Sequence, residues 1–134
     1  MGNTLLAFFA ANAIYFAGMG CAEVVGSMSP KIRSQSQLER LVKQERKKLA
    51  IPDAIIIQAT LEFDNPETSY ARKVAENSYE IYLQKYPDQH NLNVLRHELY
   101  HIADGHCEKE SGFLRYLYWN EPLAVIYSVS GIKL

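Results

Sequence analysis

The chain has 134 residues, of which 48% are hydrophobic and 22% are charged, and its formal net charge at pH 7 is −1. This length fits one globular domain, and the proportions are ordinary for one. A net charge so close to zero lacks the strong basic excess of nucleic-acid-binding domains, so no nucleic-acid partner is predicted.

The first 27 residues form a hydrophobic segment that differs from the rest of the chain. Between residues 5 and 25 nearly every side chain is apolar or small, and Asn12 and Glu23 interrupt the run. Three interpretations compete: a signal peptide cleaved near Asn12, a membrane anchor, and a lipoprotein signal ending at Cys21. No Lys or Arg precedes the run, which disfavours both signal interpretations, and a buried helix is the remaining alternative. We expect a membrane-associated or exported protein with a single domain over residues 28–134.

The chain after this segment predicts one helix and then several strands. Ser36 and Glu39 have the spacing of a capping box, which predicts a helix from there to Leu49. Residues 54–63 are apolar and β-branched, which is typical of a buried strand. Residues 70–75 and 79–83 are two further predicted strands, and the imperfect alternation of residues 79–83 indicates an edge strand.

A metal-binding pattern follows these strands. Residues 97–101 read His-Glu-Leu-Tyr-His, which is the HExxH pattern. On a helix, His97 and His101 stack on one face, so that two imidazole nitrogens can reach one Zn²⁺ ion. Glu98 is turned about 100° around the axis, which suits it to handling a metal-bound water rather than to ligation. The pattern therefore makes the chain a candidate metallopeptidase.

The residues around the pattern support a helix. Leucine or isoleucine recurs at positions 92, 95, 99 and 102, which forms one apolar stripe. Asn91 or Asn93 could cap the start of this helix. Asp104 and Gly105 end the pattern, since Gly105 can take the left-handed conformation at a helix C-terminus.

A catalytic zinc site needs a third protein ligand and one position open to water. Glu121, which follows Asn120, is the best candidate. In this pair and its spacing from the HExxH pattern, the chain resembles the gluzincins, the thermolysin-like zinc metallopeptidases. Their third ligand is a Glu on a second helix, and Asn precedes it in thermolysin-type members. Because Pro122 is tolerated only in a first helical turn, Glu121 is expected at the start of that helix.

Three residues near the HExxH pattern are rival third ligands: Asp104, His106 and Cys107. The chain also departs from the thermolysin-like pattern, which places an Asp four residues after the ligand Glu to hold the first His. That position is Val125 here. A ligating His nearly always donates its other ring N–H, so its partner must come from elsewhere, such as Asp104, Glu108 or a backbone carbonyl.

The resemblance implies an α+β fold reduced to a minimal gluzincin catalytic core. It consists of a small antiparallel or mixed sheet, the HExxH helix and a following helix that bears the third ligand. In zincins an edge strand above the active-site helix binds extended substrate through main-chain pairing, and residues 79–83 are expected to take that place.

The resemblance also implies hydrolysis of peptide bonds in a peptide or protein substrate, with Zn²⁺ as the cofactor. Glu98 would act as the general base that accepts a proton from a zinc-activated water. The implied zinc ligands are His97, His101 and Glu121, and the candidate oxyanion-stabilising groups are His106, Tyr116 and Tyr118.

A zinc-binding sensor or interaction domain without peptidase activity is the alternative. The same three ligands would serve it, and His106 or Cys107 would close the fourth position.

Overall fold

The computed structural model describes residues 28–61, 69–83, 90–107 and 121–132, together with the single positions 13 and 17. Within these ranges the chain forms three helices and a small three-stranded mixed sheet, so the predicted α+β class is confirmed. The elements in chain order are α1 (Gln35–Lys48), β1 (Ile56–Thr60), β2 (Tyr70–Ala75), β3 (Ser78–Tyr82), α2 (Leu92–Ala103) and α3 (Glu121–Ser130).

Most of the hydrophobic N-terminal segment lies outside the described residues. Its membrane association or cleavage, and the domain boundary near residue 28, stay predictions. Among the helices that the structure describes, none combines the length and the apolar character needed to cross a membrane.

Helix α1 begins slightly earlier than predicted and is capped by a different serine. The N-cap is Ser34, whose hydroxyl accepts a hydrogen bond from the backbone N–H of Gln37 at 3.2 Å. The predicted capping box was therefore placed wrongly, because Ser34 has the extended backbone that an N-cap requires and Ser36 lies in the first helical turn. Leu38 and Val42 are buried on the inner face of the helix.

The sheet has β3 at its centre, parallel to β1 and antiparallel to β2. The prediction that residues 79–83 form an edge strand is wrong. Tyr79 and Ile81 are buried, whereas the alternate residues of β3 are only half-buried. In a sheet with one face open to solvent, buried and exposed side chains alternate along a central strand as well as along an edge strand. The alternation in residues 79–83 therefore did not distinguish the two positions. Among the described strands, the edge that packs against α2 is β2.

The other edge of the sheet is bonded by a side chain of α1. Gln35 donates from Nε2 to the carbonyl of Ala59 at 2.8 Å, and its Oε1 accepts from the backbone N–H of Leu61 at 3.3 Å. One amide thus satisfies a backbone donor and a backbone acceptor at the edge of β1, which anchors the helix to the sheet.

Helix α2 is capped and ended by the residues that the sequence indicated. Of the two candidate asparagines, Asn91 is the N-cap, and its side chain accepts from the backbone N–H of Val94 at 3.1 Å. Leu95 and Leu99 of the apolar stripe are fully buried. After the C-cap residue Asp104, Gly105 has φ of +69°, the left-handed conformation that only glycine adopts easily.

Helix α3 begins at Glu121 and packs against α2. The rings of Tyr100 and Tyr127 meet between the two helices with centroids 5.6 Å apart. Gly131 ends α3 with φ of +69°, and a Cβ there would stand only 3.4 Å from the guanidinium carbon of Arg96. This close approach is possible because glycine lacks a side chain.

A buried carboxylate joins all three helices. Glu45 on α1 is 1% exposed. Its Oε2 accepts from Arg96 Nε of α2 at 2.9 Å and from the Tyr127 hydroxyl of α3 at 3.1 Å. Its Oε1 accepts from Lys48 at 2.6 Å. Burial alone would raise the pKa of Glu45, but the hydrogen bonds from Arg96, Lys48 and Tyr127 hold that pKa below its ordinary value.

We expect Glu45→Gln to lower the free energy of unfolding by about 3 kcal/mol, because it leaves the Arg96 guanidinium without its buried counter-charge. Urea denaturation measures this effect. Glu39→Gln is the matched control, since Glu39 is exposed on the same helix and accepts a hydrogen bond from Gln35, its neighbour one turn earlier. Its effect should stay within about 0.5 kcal/mol. Equal unfolding midpoints for the two variants would contradict the role assigned to Glu45.

Candidate metal centre

Two histidines of α2 and the first residue of α3 bring their donor atoms together. The Nε2 atoms of His97 and His101 are 3.1 Å apart. Glu121 places Oε2 at 3.3 Å from His97 Nε2 and Oε1 at 3.3 Å from His101 Nε2. In the part of the chain that the structure describes, these three side chains form a group that could hold a metal ion. Among the candidate third ligands, the structure therefore brings Glu121 to the two histidines.

The spacing of the donor atoms fits a small divalent cation. Zinc binds imidazole nitrogen and carboxylate oxygen at about 2.0–2.2 Å, so ligands arranged tetrahedrally around it stand about 3.3–3.6 Å apart. The observed separations are 3.1 Å and 3.3 Å. Other divalent transition metals of similar size satisfy the same spacing.

Local sequence explains how the helices deliver these donors. His97 and His101 are four residues apart on α2 and so lie on one face. Glu121 is the first residue of α3, and Pro122 fills the first turn, where its missing N–H costs no hydrogen bond. A carboxylate at this position also interacts favourably with the positive end of the helix dipole.

The site favours positive charge even before a metal binds. Burial by itself would lower the pKa of His97. The hydrogen bond with Glu121 and the charges of Glu98 and Glu121 outweigh burial and raise this pKa above its ordinary value of 6.5. A proton on His97 and a metal ion are therefore competing ways to neutralise the carboxylates.

His97, His101 and Glu121 are called the metal-ligand group below. Glu98 lies beside this group and is 6% exposed. Burial raises its pKa, while the charges of His97 and His101 and a backbone hydrogen bond from Ala71 act in the opposite direction. The net shift is upward. A raised pKa moves a carboxylate towards the range in which it exchanges protons near neutral pH, as general acid–base catalysis needs.

A cavity of about 320 Å³ opens in front of these side chains. Its floor is formed by α2 and Glu121, and one wall is the start of β2. The sequence did not indicate this wall, because the residue types at the start of β2 do not show which helix will pack beside the strand. Tyr70 in the wall stacks on Tyr82 with ring centroids 5.2 Å apart. The residues that line the cavity are Ser69, Tyr70, Ala71, His97, Glu98, His101, His106, Cys107 and Glu121.

The rival ligands have other contacts. His106 Nδ1 lies 2.9 Å from His101 Nδ1, on the side of the ring opposite the metal-ligand group, and His106 Nε2 lies 2.9 Å from Asp104 Oδ2. The Cys107 thiol donates to the carbonyl of Ala71 at 3.8 Å. Neither His106 nor Cys107 belongs to the described donor group.

Of the remaining residues that the sequence analysis considered, one is described by the structure and four are not. Val125, at the position where thermolysin-like enzymes carry Asp, is buried in α3 and offers no hydrogen-bonding side chain. Tyr116 and Tyr118, the candidate oxyanion groups, lie outside the described residues, as do Asn120 and Glu108. Their roles stay predictions.

In the metal-free protein we expect His97 to titrate above 6.5. Because the folded-state pKa exceeds the unfolded value, this pairing stabilises the fold fully below the unfolded pKa, and the stabilisation disappears as pH rises through the folded pKa. NMR titration of the His97 ring measures the pKa directly.

Glu121→Gln should lower the pKa of His97, whereas the control Asp104→Asn, at a carboxylate that contacts His106, should change it much less. A His97 pKa that does not respond to Glu121→Gln would show that the two side chains do not interact in solution.

Comparison with known proteins found no matching family model, curated protein or solved structure. A function for this chain is therefore inferred from the donor atoms, the cavity and the electrostatics of the site. The positions of the donor atoms directly support one statement, that His97, His101 and Glu121 could together hold a metal ion.

Proposed function

We propose that this protein is a zinc-dependent metallopeptidase whose metal is held by His97, His101 and Glu121. The observation that carries the proposal is the convergence of two imidazole nitrogens and one carboxylate at separations of 3.1–3.3 Å. These separations are close to the distance of about 3.3–3.6 Å between neighbouring ligands of a tetrahedral zinc ion. The likeness of residues 97–121 to the gluzincin ligand pattern supports the same assignment.

The composition of the donor group favours a catalytic over a structural zinc site. Structural sites are closed by four protein ligands that are mostly cysteine, whereas catalytic sites use three ligands, often two His and a Glu, and keep one position open. Among the described residues, the two that would close the site in a sensor domain are His106 and Cys107. Their polar atoms bond His101, Asp104 and Ala71 instead.

The chemistry of hydrolysis divides between the metal and Glu98. A bound zinc ion supplies Lewis acidity and lowers the pKa of water towards 7. Glu98 is placed beside the ligands, on the α2 floor of the same cavity. Its carboxylate would therefore take up a proton from the attacking water and return one to the leaving amine.

The edge of the sheet supports a peptide substrate. Residues 69–71 line the cavity, and β2 pairs with β3 on one side. An extended peptide can add to an edge strand through main-chain hydrogen bonds, which would carry its scissile bond past Glu98. The proposed substrate-binding strand is therefore β2 and not residues 79–83, because β3 already pairs with a strand on each side.

We expect Glu98→Gln to keep one zinc ion per chain and to lower peptide hydrolysis by about 10²–10⁴-fold, the usual worth of a general base. Zinc content is measured by elemental analysis, and hydrolysis with a library of quenched fluorescent peptides. Removal of zinc by a chelator should abolish hydrolysis, and added zinc should restore it.

Glu80→Gln is the matched control, because Glu80 lies on β3, pairs with Arg72 and does not line the cavity. It should leave hydrolysis unchanged. Undiminished turnover by zinc-loaded Glu98→Gln protein would remove the mechanism. Four protein ligands in the zinc X-ray absorption spectrum, with no hydrolysis by the unaltered chain, would favour the sensor or interaction domain.

A further inference from the structure

His101 is a buried candidate ligand, and both of its ring nitrogens face other side chains. It is only 7% exposed. Its Nε2 faces His97 and Glu121. Its Nδ1 lies 2.9 Å from Nδ1 of His106. The orientation of the His101 ring is therefore set by protein neighbours on both sides.

His106 reaches this place because the chain reverses directly after α2. Gly105 takes φ of +69°. The backbone N–H of His106 then donates to the carbonyl of His101 at 2.9 Å. The reversal lays the two imidazoles against each other with ring centroids 5.2 Å apart. The helix C-terminus thus delivers both Asp104 and His106 to the far side of the His101 ring.

The hydrogen bonds between these side chains have one consistent direction. His106 Nε2 lies 2.9 Å from Asp104 Oδ2. An ionised carboxylate only accepts, so the proton of a neutral His106 is on Nε2 and its lone pair is on Nδ1. His106 then accepts at Nδ1 from the Nδ1–H of His101. His101 with its proton on Nδ1 has its lone pair on Nε2, the atom that faces His97 and Glu121.

We propose that Asp104 and His106 are positioning residues, in which Asp104 sets the tautomer of His106 and His106 orients the Nε2 lone pair of His101 towards the metal. This inference rests on the metal site of the proposed function. It gives His106 a role that differs from both earlier expectations, since it neither binds the metal nor stabilises an oxyanion. Mutation of a residue that hydrogen-bonds to a ligating histidine typically weakens metal affinity by about 10–100-fold.

The first test is zinc affinity, measured on the full chain by competition with a chelator at neutral pH. His106→Leu should weaken zinc binding at least about tenfold, because the His101 Nδ1–H loses its acceptor. His106→Gln should recover most of this loss, since its amide can accept from His101 and donate to Asp104.

Asp104→Ala separates positioning from a general effect on the fold. It should weaken zinc binding in the unaltered background and have no further effect in a His106→Leu background, because Asp104 acts through His106. His90→Leu is the matched control. His90 is a buried histidine that precedes α2 and is not among the residues lining the cavity, so its replacement should leave zinc affinity unchanged.

The second test uses the unaltered chain, so it does not depend on the folding of any variant. Nitrogen-15 NMR of the zinc-loaded protein should show His106 protonated on Nε2 and His101 protonated on Nδ1. A proton on His106 Nδ1, or zinc affinity that is unchanged in both His106→Leu and Asp104→Ala, overturns the positioning role.

The outcomes for the two proposals are distinct. Zinc bound by His97, His101 and Glu121 with unchanged affinity in His106→Leu overturns the positioning role and leaves the metallopeptidase proposal standing. An unaltered chain that binds no zinc overturns both.

Discussion

The buried carboxylate of Glu45 is the contact on which the relative placement of the three helices depends. It accepts hydrogen bonds from Arg96 and Tyr127, so that one side chain of α1 ties α2 to α3. Arg96 directly precedes His97, and Tyr127 lies on the same helix as Glu121. Because donor atoms must converge to within a few tenths of an ångström to bind a metal, a contact that fixes both helices also governs the site.

Neighbouring side chains also restrict the position of the His101 ring. A ligating imidazole is useful only when its lone pair points at the metal, and rotation of the ring or a change of tautomer removes it. A thermolysin-like chain would supply the restraint for its first histidine from α3, where this chain carries Val125. The turn after α2 instead brings His106, and behind it Asp104, against the ring of the second histidine. This contact comes from the end of the same helix that carries His101.

Sequence reasoning succeeded for most local features, although it placed the cap of α1 at Ser36 instead of Ser34, and it failed where the structure depends on neighbouring elements. The spacing of His97 and His101 is a property of one helix, and the position of Glu121 follows from Pro122, which only a first turn accommodates. By contrast, residues 79–83 were mistaken for an edge strand, since alternation of side chains reports which face is buried and not how many strands flank it. The wall of the cavity at Tyr70 was missed for the same reason.

The amino-acid sequence by itself determined the α+β class, the helix that carries His97 and His101, and its stop at Gly105, because periodicity, capping and backbone conformation act over a few residues. Only the tertiary structure decided that β3 is central, that β2 borders the cavity, and that His106 contacts the ring of His101 rather than the metal-ligand group. These features arise from contacts between elements far apart in the chain, and the pattern within any one element does not encode which partner it meets.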